Sequence, residues 1–515
     1  MISLNSKQKN TFNNEYSEKF FILFTEIGNM QRNYSHENLS IYDNLKNSWF
    51  NFIGSFINDI SFEVSFKPET NSYNLPSTSL TLIDSEIDLI SLAKNLSINF
   101  SEIQLYFITD ELFIDESLPL FKGIIGIDTI DTSENPFSIS FVNTDNKYDA
   151  IFPPYILGVN VSGYSPANDA EKYNGESVPV VYGYPKGLGF PVPIYSDDGS
   201  TTVKYIICSH DCGTGLNFFL LADGIVVPSA NYTRYYDAIL GFYFVQMTYA
   251  NYTTYCKGKK VTCYCAGLLY DYTNVKNPSI GEVVLHILEN YSNLESSDIN
   301  SQAIATAIAY LSSYQVARFF NASTTAFDVI KELGIEFPFI FNDSGIKKSI
   351  TCVDPNFTPY TFELLKYKHW IERNKGIKIT KASDTYNKFI AKYIFDALNN
   401  RWQGNSTIDY TNNNDCKVLK SKIGNIDKEK EILELYSVDD LSTVNNILLW
   451  QVKLYAIQRF TITYKCKHNC IILELGDGVL LTDEELGIAR KKFMVIGKLI
   501  KRDFIYITIQ NVENL

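Results

Sequence analysis

The sequence predicts a β-rich, multidomain α+β fold with antiparallel β-barrel or sandwich domains, an inserted helical region and a small C-terminal β-domain. Three observations support this prediction. The 515 residues exceed the usual size of one domain. Aromatic residues make up 14% of the chain, with 35 Tyr and 34 Phe, and these residue types favour strands. Short apolar runs bounded by turn residues recur along most of the chain, which is typical of strands.

The clearest strand pattern lies in residues 471–512. Two apolar runs, 493–500 and 504–510, are separated by the polar turn 501–503. In the second run Ile505, Ile507 and Ile509 alternate with Tyr506, Thr508 and Gln510, so one face is predicted to be buried. Gly-Asp-Gly at 476–478 fits a turn, because Gly tolerates positive φ. We predict a small antiparallel β-unit that acts through its surface.

Six segments follow from the apolar pattern and from the positions of Pro and Gly. Phe62, Val64 and Phe66 alternate with polar residues as in a strand, seven prolines fall within 151–200, and Asp223-Gly224 is a hairpin signal. We predict an N-terminal extension (1–55), a first β-domain (56–150), a Pro/Gly-rich connection (151–200), a second β-domain (201–275), an α+β region (276–440) with a polar insertion near 404–430, and a helix with the C-terminal β-domain (441–515).

Helices are predicted where apolar residues recur at helical spacing after a capping residue or a proline. Five helices are predicted. The first starts at Asn277-Pro278, the second runs from Asp298 to Leu311, and the third is capped by Ser323. The fourth spans 386–398, and the fifth starts at Asp439 or Asp440. The polar residues 404–430 are predicted to form a loop.

The formal net charge is −13, from 58 acidic and 45 basic residues. This balance argues against a protein whose main task is binding nucleic acid, which requires a basic surface. It is compatible with a surface past which DNA moves without binding. No apolar run approaches the length of a membrane-spanning helix or of a signal-peptide core, so we predict a soluble, non-exported chain without a membrane segment.

Two stretches share the pattern Cys-x-His-x-Cys, at 208–212 and at 466–470. Alternate residues of a strand face the same side, so each trio has the spacing for a metal site, and Cys256, Cys263 and Cys265 are available to the first. Neither stretch has the tandem spacing of a zinc ribbon. We favour free, buried thiols and assign no metal or cofactor. The candidate ligands for the alternative, zinc or an iron–sulfur cluster, are Cys208, His210, Cys212, Cys263 and Cys265.

No catalytic constellation is evident in the sequence. The chain has five His, and His286 falls within an amphipathic helix, where a structural role is favoured. The motifs G-x-S-x-G, Walker A and H-E-x-x-H are absent, and the Gly-rich stretch 183–189 has no following helix to hold a phosphate. Asp197-Asp198 and Glu484-Glu485 fit solvated turns. We therefore predict a protein without enzymatic activity and name no catalytic residue.

Four stretches, in this order, resemble the tail hub or tail-tip proteins of long-tailed bacteriophages and related phage-like particles. They are LFKG at 120–123, GESVPVVYG at 175–183, NP at 277–278 with a helix and then DINS at 298–301, and LELGD at 473–477 with FMVIG at 493–497. Residues 1–55 have no counterpart, and 404–430 resembles an insertion. Some tail-tip relatives hold an iron–sulfur cluster through four Cys, with which the Cys here do not align.

The resemblance implies a structural virion protein of the tail tip or baseplate hub. Such a protein forms a ring on the tail axis, usually of three copies, and closes or gates the DNA channel. The implied partners are further copies of the chain, the tail tube or distal tail protein, the tape measure protein, and tail fibre or spike proteins, with DNA only in transit. The implied location is the tail tip of the virion, after assembly in the bacterial cytoplasm.

Two other classes of function remain open from the sequence. Abundant Tyr and the Pro/Gly-rich loops also fit a tail-associated adhesin that binds a receptor or a glycan, because aromatic rings stack on sugars. Binding of the isolated protein to host cells or polysaccharide would distinguish this class. A polysaccharide depolymerase is the third class, and sugar released from host polysaccharide would identify it.

Overall fold

The structure is a computed structural model. It describes residues 5–14, 17–27, 30–54, 56, 61–67, 72–74, 79–83, 102–130, 136–143, 149–187, 189–212, 218–342, 347–356, 358–374 and 376–513. The predicted strand at 87–92 lies outside these residues. Over the described ranges the chain is β-rich with a few helices, and the sheets are curled, which confirms the predicted fold class. Within the same ranges, no helix has the length and apolar character needed to cross a membrane.

Eight strands of the first 143 residues form the N-terminal sheet, in the order β3-β4-β2-β1-β8-β9-β10-β7. Neighbouring strands are antiparallel except the β2–β4 pair. A short helix, α1 (Ser6–Asn13), precedes this sheet. The strands of this part of the chain are β1 (Lys19–Ile27), β2 (Met30–Ser35), β3 (Leu39–Asp43), β4 (Ser48–Gly54), β5 (Ser61–Lys67), β6 (Ser72–Asn74), β7 (Ser79–Ile83), β8 (Glu102–Thr109), β9 (Leu118–Ile130) and β10 (Pro136–Asn143).

Two four-stranded sheets form a β-sandwich in the middle of the chain, ordered β13-β20-β16-β17 and β14-β15-β19-β18. Apolar side chains from both sheets share one buried cluster. The Asp223-Gly224 hairpin is confirmed, and both residues have positive φ. The strands here are β11 (Ile151–Phe152), β12 (Val180–Tyr182), β13 (Phe190–Pro191), β14 (Ile194–Asp197), β15 (Thr202–Cys208), β16 (Phe219–Ala222), β17 (Ile225–Val226), β18 (Thr233–Asp237), β19 (Phe242–Thr248) and β20 (Val261–Tyr264), and the helix is α2 (Tyr249–Tyr255).

A helical region with short strand pairs follows and has its own buried apolar cluster. β12 pairs with β21, β11 with β22, and β23 with β24, while β29, β28 and β30 form a three-stranded sheet. The helices are α3 (Ile280–Asn290), α4 (Ser301–Leu311), α5 (Ala326–Glu336), α6 (Asn414–Lys422) and α7 (Leu441–Tyr455). The strands are β21 (Arg318–Phe320), β22 (Thr324–Thr325), β23 (Phe339–Asn342), β24 (Ser349–Cys352), β28 (Lys388–Asp396), β29 (Arg401–Asp409) and β30 (Leu433–Glu434).

The C-terminal sheet contains the predicted unit at 471–512. Its strands are β25 (Tyr360–Leu364), β26 (Trp370–Arg373), β27 (Lys378–Ile379), β31 (Phe460–Cys466), β32 (Gly478–Asp483), β33 (Ile488–Lys501) and β34 (Ile505–Asn511), with the order β25-β32-β33-β34-β31-β26. In addition, β27 pairs with β31 and β5 pairs with β33, both antiparallel. Ile505, Ile507 and Ile509 are fully buried, as the alternation predicts.

The N-terminal and C-terminal sheets share one continuous apolar core. Phe107 of β8 stacks on His468, with ring centroids 5.6 Å apart and an interplanar angle of 15°. It also stacks on Phe12 of α1, at 5.9 Å and 16°. Arg502, in the turn between β33 and β34, donates from Nε to the Lys19 carbonyl at 3.2 Å. These contacts join the two sheets into one packed unit.

Two sequence predictions are wrong within residues 386–430. The predicted helix at 386–398 is the strand β28, because it pairs with β29 along its length and buries Phe389 and Ala391 on one face. Its apolar residues satisfy both the helical and the alternating period. The predicted loop at 404–430 contains β29 and α6, which tertiary pairing and an Asn413 N-cap stabilise despite the polar sequence.

Three predicted helix starts are shifted by one to three residues. Ser279, and not Asn277-Pro278, caps α3 through a capping box with Glu282. Asn300 caps α4, which was predicted to start at Asp298, and Thr325 caps α5 in place of Ser323. The predicted start at Asp439 or Asp440 is confirmed, since the Asp440 side chain accepts the Thr443 N–H.

Candidate functional site

Four cysteines and one histidine from the two sheets of the β-sandwich converge in its interior. Cys208 ends β15, His210 and Cys212 follow it, Cys263 lies within β20, and Cys265 follows β20. All five side chains are buried, and all four cysteines are free thiols. We call these five residues the thiol cluster. The structure thus brings together all five candidate ligands, which come from two separate segments of the chain, 208–212 and 263–265.

The sulfur atoms of the thiol cluster lie close to one another. The Sγ atoms of Cys208 and Cys212 are 2.8 Å apart, and those of Cys212 and Cys265 are 3.3 Å apart. One ligand atom each of Cys208, His210 and Cys212 lies within 4.8 Å of the others. Neither ring nitrogen of His210 has a hydrogen-bond partner among the described residues. A buried imidazole without such a partner is unfavourable unless another group binds it.

The four thiols have different pKa values, because burial disfavours their ionisation and hydrogen bonds between the thiols favour ionisation of Cys265. Burial raises the pKa of Cys208, Cys212 and Cys263 well above their ordinary value. Burial acts on Cys265 in the same direction, but hydrogen bonds from the other three thiols overcome it and hold its pKa well below the ordinary value. Burial also lowers the pKa of His210 to about 4, so its imidazole is neutral at pH 7. Thiolate and neutral imidazole are the forms that bind transition metals.

Cys208, His210 and Cys212 supply three donors for one tetrahedral metal ion, and Cys265, whose Sγ lies 3.3 Å from that of Cys212, is the candidate fourth. Structural zinc takes four ligands from Cys and His, with a Zn–S distance of about 2.3 Å, so sulfurs on one ion lie about 3.8 Å apart. The observed separations of 2.8 and 3.3 Å would have to increase by about 1 Å and about 0.5 Å to reach this value. Thiolates also bind iron. The bound ion would link the two sheets of the β-sandwich.

The other sulfur-containing candidates have different surroundings. Cys256 interacts with Tyr205, outside the thiol cluster. Cys466 and Cys470 interact with each other, but His468 between them stacks on Phe107 and lies 3.5 Å from the Lys501 carbonyl. The second Cys-x-His-x-Cys stretch therefore does not present its histidine and its two thiols to one point.

Asp198, Glu485 and His286 have structural partners. Asp198 accepts backbone N–H groups of residues 200–202, as a turn residue does. Glu485 is exposed and pairs with Lys366 and Arg373. The Nδ1 atom of His286 lies 3.0 Å from the hydroxyl oxygen of Tyr182, within hydrogen-bonding distance.

A second notable arrangement is a junction of three distant segments at Asn277. The Asn277 Oδ1 accepts the Tyr184 N–H at 2.8 Å, and its Nδ2 donates to Asp439 Oδ1 at 3.0 Å. Lys186 Nζ lies 3.9 Å from Asp439 Oδ2. Gly183 has φ of +63°, and a Cβ there would lie 2.4 Å from the Val316 carbonyl oxygen. Sequence reasoning identified Asn277 and Asp439 as helix starts, and Asn277 also as part of the family resemblance, but it did not identify their contact, because a side-chain contact across 162 residues leaves no local pattern.

The buried carboxyl of Asp439 gives this junction a pH dependence. Burial raises the pKa of Asp439 to about 7, the Asp440 carboxylate acts in the same direction, and the Lys186 ammonium opposes both. In the unfolded chain an Asp titrates near pH 4. The folded protein therefore holds more protons between about pH 4 and 7, so its stability falls as the pH rises through this range.

Asp439→Asn is expected to remove this dependence and keep the bond from Asn277. Relative to the variant, the wild type should lose about 2–3 kcal/mol of unfolding free energy between pH 5 and 8. Urea unfolding at several pH values measures the difference, with Asp503→Asn, in an exposed turn, as the control. Parallel curves for the wild type and Asp439→Asn would contradict the assignment.

Comparisons with known proteins give structural neighbours only. No protein-family model and no curated protein matches the chain. It is similar to a chain of the virion of the native gene transfer agent particle, at 9% identity and a TM-score of 0.20, over 52% of this chain and 85% of that one. Two phage P2 baseplate structures in the activated conformation, the first with Ca, match at 9% and 8% identity and a TM-score of 0.20, over 71% and 72% of this chain and 99% of theirs.

Proposed function

We propose that this chain is a structural protein of a phage tail tip or baseplate hub, without enzymatic activity. In this role several copies, three in our proposal, form a ring on the tail axis in the virion. The ring joins the tail tube or distal tail protein to fibre or spike proteins, contacts the tape measure protein, and closes or gates the channel through which DNA passes.

The Asn277 junction is the observation that carries this proposal. Two of the four stretches on which the resemblance to tail hub proteins rests, 175–183 and 277–278, lie at or next to this junction. In the fold, the side chain of Asn277 bonds to Tyr184, the residue after the first stretch, and to Asp439, at the start of the helix that leads into the C-terminal β-unit. Contact between two of these segments, 93 residues apart in the sequence, supports the architecture that the resemblance implies.

Two further features suit a channel-forming structural protein. The net charge of −13 disfavours DNA binding along a channel wall, because acidic groups repel phosphate. The continuous core of the N-terminal and C-terminal sheets favours a stiff unit. We also propose that the thiol cluster binds one zinc or iron ion as a structural cross-link between the sheets of the β-sandwich; when bound, the ion supplies ligand bonds that hold the two sheets together.

The oligomeric state tests the proposed ring. Light scattering on the purified full chain is expected to give a trimer, three times the chain mass of 58.7 kDa, and electron microscopy is expected to show a ring with acidic side chains on its axis. A monomer that forms no ring and does not associate with tails would contradict the proposal. Saturable binding of the monomer to host cells or polysaccharide would instead identify an adhesin.

A further inference from the structure

A cavity of about 600 Å³ lies where the C-terminal sheet meets the end of α7. We call it the basic cleft. Lys378 in the edge strand β27, Lys381 shortly after it, and Tyr455, the last residue of α7, line the cleft. Arg459, between α7 and β31, lies at its floor with 2% of its surface exposed. A cavity of this size accommodates a small molecule.

The charges around the basic cleft are predominantly positive, on a chain whose net charge is −13. Four cationic side chains line the cleft, against the single carboxylate of Asp384; they are Lys378, Lys381, Lys430 and Arg459. A local surplus of about three positive charges attracts small anions to this point, although the protein as a whole is acidic.

Two of these cations share one aromatic ring. Lys430 Nζ lies 3.7 Å from the centroid of the Tyr455 ring, and Arg459 Cζ lies 5.6 Å from the same centroid. Burial lowers the pKa of Lys430 to about 8, and Arg459 acts in the same direction while Glu431 opposes both. An anion between the two side chains would relieve their mutual repulsion.

Hydrogen bonds hold these cations in place. Arg459 Nη1 donates to Gln510 Oε1 at 3.1 Å, and Gln510 Nε2 in turn donates to Thr461 Oγ1 at 3.1 Å. Lys430 Nζ donates to Gln451 Oε1 at 2.7 Å. The cations are thus fixed by neighbouring amide groups, which is the arrangement of a preorganised binding site.

We propose that the basic cleft binds a small phosphate-bearing ligand, either inorganic phosphate or the phosphate monoester of a larger molecule. A phosphate monoester carries a charge of about −1.5 to −2 at pH 7, which balances the local surplus better than the single charge of a carboxylate. Its three terminal oxygens accept hydrogen bonds from a guanidinium, an ammonium and a hydroxyl at once. Arg459, Lys430 and Thr461 supply these three donor types. The proposal does not depend on the proposed role in a phage tail.

Calorimetric titration of the full chain at pH 7 and low salt tests this proposal. The probes are inorganic phosphate, adenosine monophosphate and glycerol phosphate, and saturable binding of at least one is expected. Equal affinity for all three would mean that the cleft recognises only the phosphate group. Tighter binding of one ester would mean that the ligand is a phosphate monoester and that the cleft also contacts the rest of that molecule. Absence of saturable binding for all three would overturn the proposal.

Variants locate the site without disturbing its buried floor. Lys430→Gln is expected to weaken binding about tenfold, because a charge-assisted hydrogen bond is lost. The exposed Lys381→Gln is expected to weaken binding by about threefold through the lost attraction alone. Lys392→Gln removes an equal charge from a pair with Glu434 outside the cleft and should leave the affinity unchanged. The proposal fails if Lys392→Gln and Lys430→Gln have the same effect, or if a poly-glutamate peptide binds more tightly than every phosphate probe.

Discussion

Cys265→Ser is expected to release the proposed metal ion from the thiol cluster and to destabilise the β-sandwich by about 4 kcal/mol. The physical reason is the position of this sulfur. It lies 3.3 Å from Cys212 Sγ, and hydrogen bonds from three thiols favour its thiolate form. A serine hydroxyl is not a thiolate ligand, so of the four proposed donors only Cys208, His210 and Cys212 would remain.

Elemental analysis and thermal unfolding measure this effect together. The wild type is expected to carry about one equivalent of zinc or iron, and the Cys265→Ser variant much less than that. Cys256→Ser is the matched control, because it removes a buried thiol of the same β-sandwich that lies outside the cluster. Wild-type protein without near-stoichiometric zinc or iron would refute the metal centre, as would equal destabilisation by the two substitutions.

Ile507→Ala is expected to destabilise the C-terminal sheet by about 2–5 kcal/mol. Ile507 is fully buried in β34, and it belongs to the continuous core beneath the N-terminal and C-terminal sheets. The substitution removes three carbons from a close-packed interior, and the surrounding strands cannot close the cavity completely. Because the core is shared, we expect the N-terminal sheet to unfold in the same transition.

The same substitution elsewhere in the sheet serves as the control for urea unfolding. Ile379, in the edge strand β27, is 51% exposed, so Ile379→Ala should change the free energy of unfolding by about 0.5 kcal/mol or less. Hydrogen exchange of the β1 and β8 amides reports on the coupled N-terminal sheet. Similar losses for the two variants, or unchanged exchange in β1 and β8, would show that the shared core does not couple the sheets.

Sequence patterns located much of the fold because strand alternation is a local property. Ile505, Ile507 and Ile509 alternate in sequence and are all buried, and Asp223-Gly224 has the backbone conformation that its residue types favour. The same reasoning failed at β28. There Phe389 and Ile390, followed by Tyr393 and Ile394, satisfy a helical period, but pairing with β29 decides the structure.

The candidate site was only partly predictable, because part of it depends on contacts between distant segments of the chain. The sequence identifies Cys208, His210 and Cys212 as a trio, because they lie within five residues. Their convergence with Cys265 depends on the packing of two sheets, which no local spacing encodes. Arg459 shows the limit most clearly, since its burial beneath a cavity depends on α7, β27 and β34 at once.

The pairing of β5 with β33 sets a condition on how the chain reaches its native state. Ser65 lies opposite Gly497, so a strand made early in synthesis pairs with one made more than 400 residues later. Until translation reaches residue 501, the edge of β5 that bonds to β33 has no native partner, and such an edge is prone to pair with other chains. Stalled or truncated products are therefore expected to aggregate or be degraded, which would restrict any assembly to chains that contain both strands.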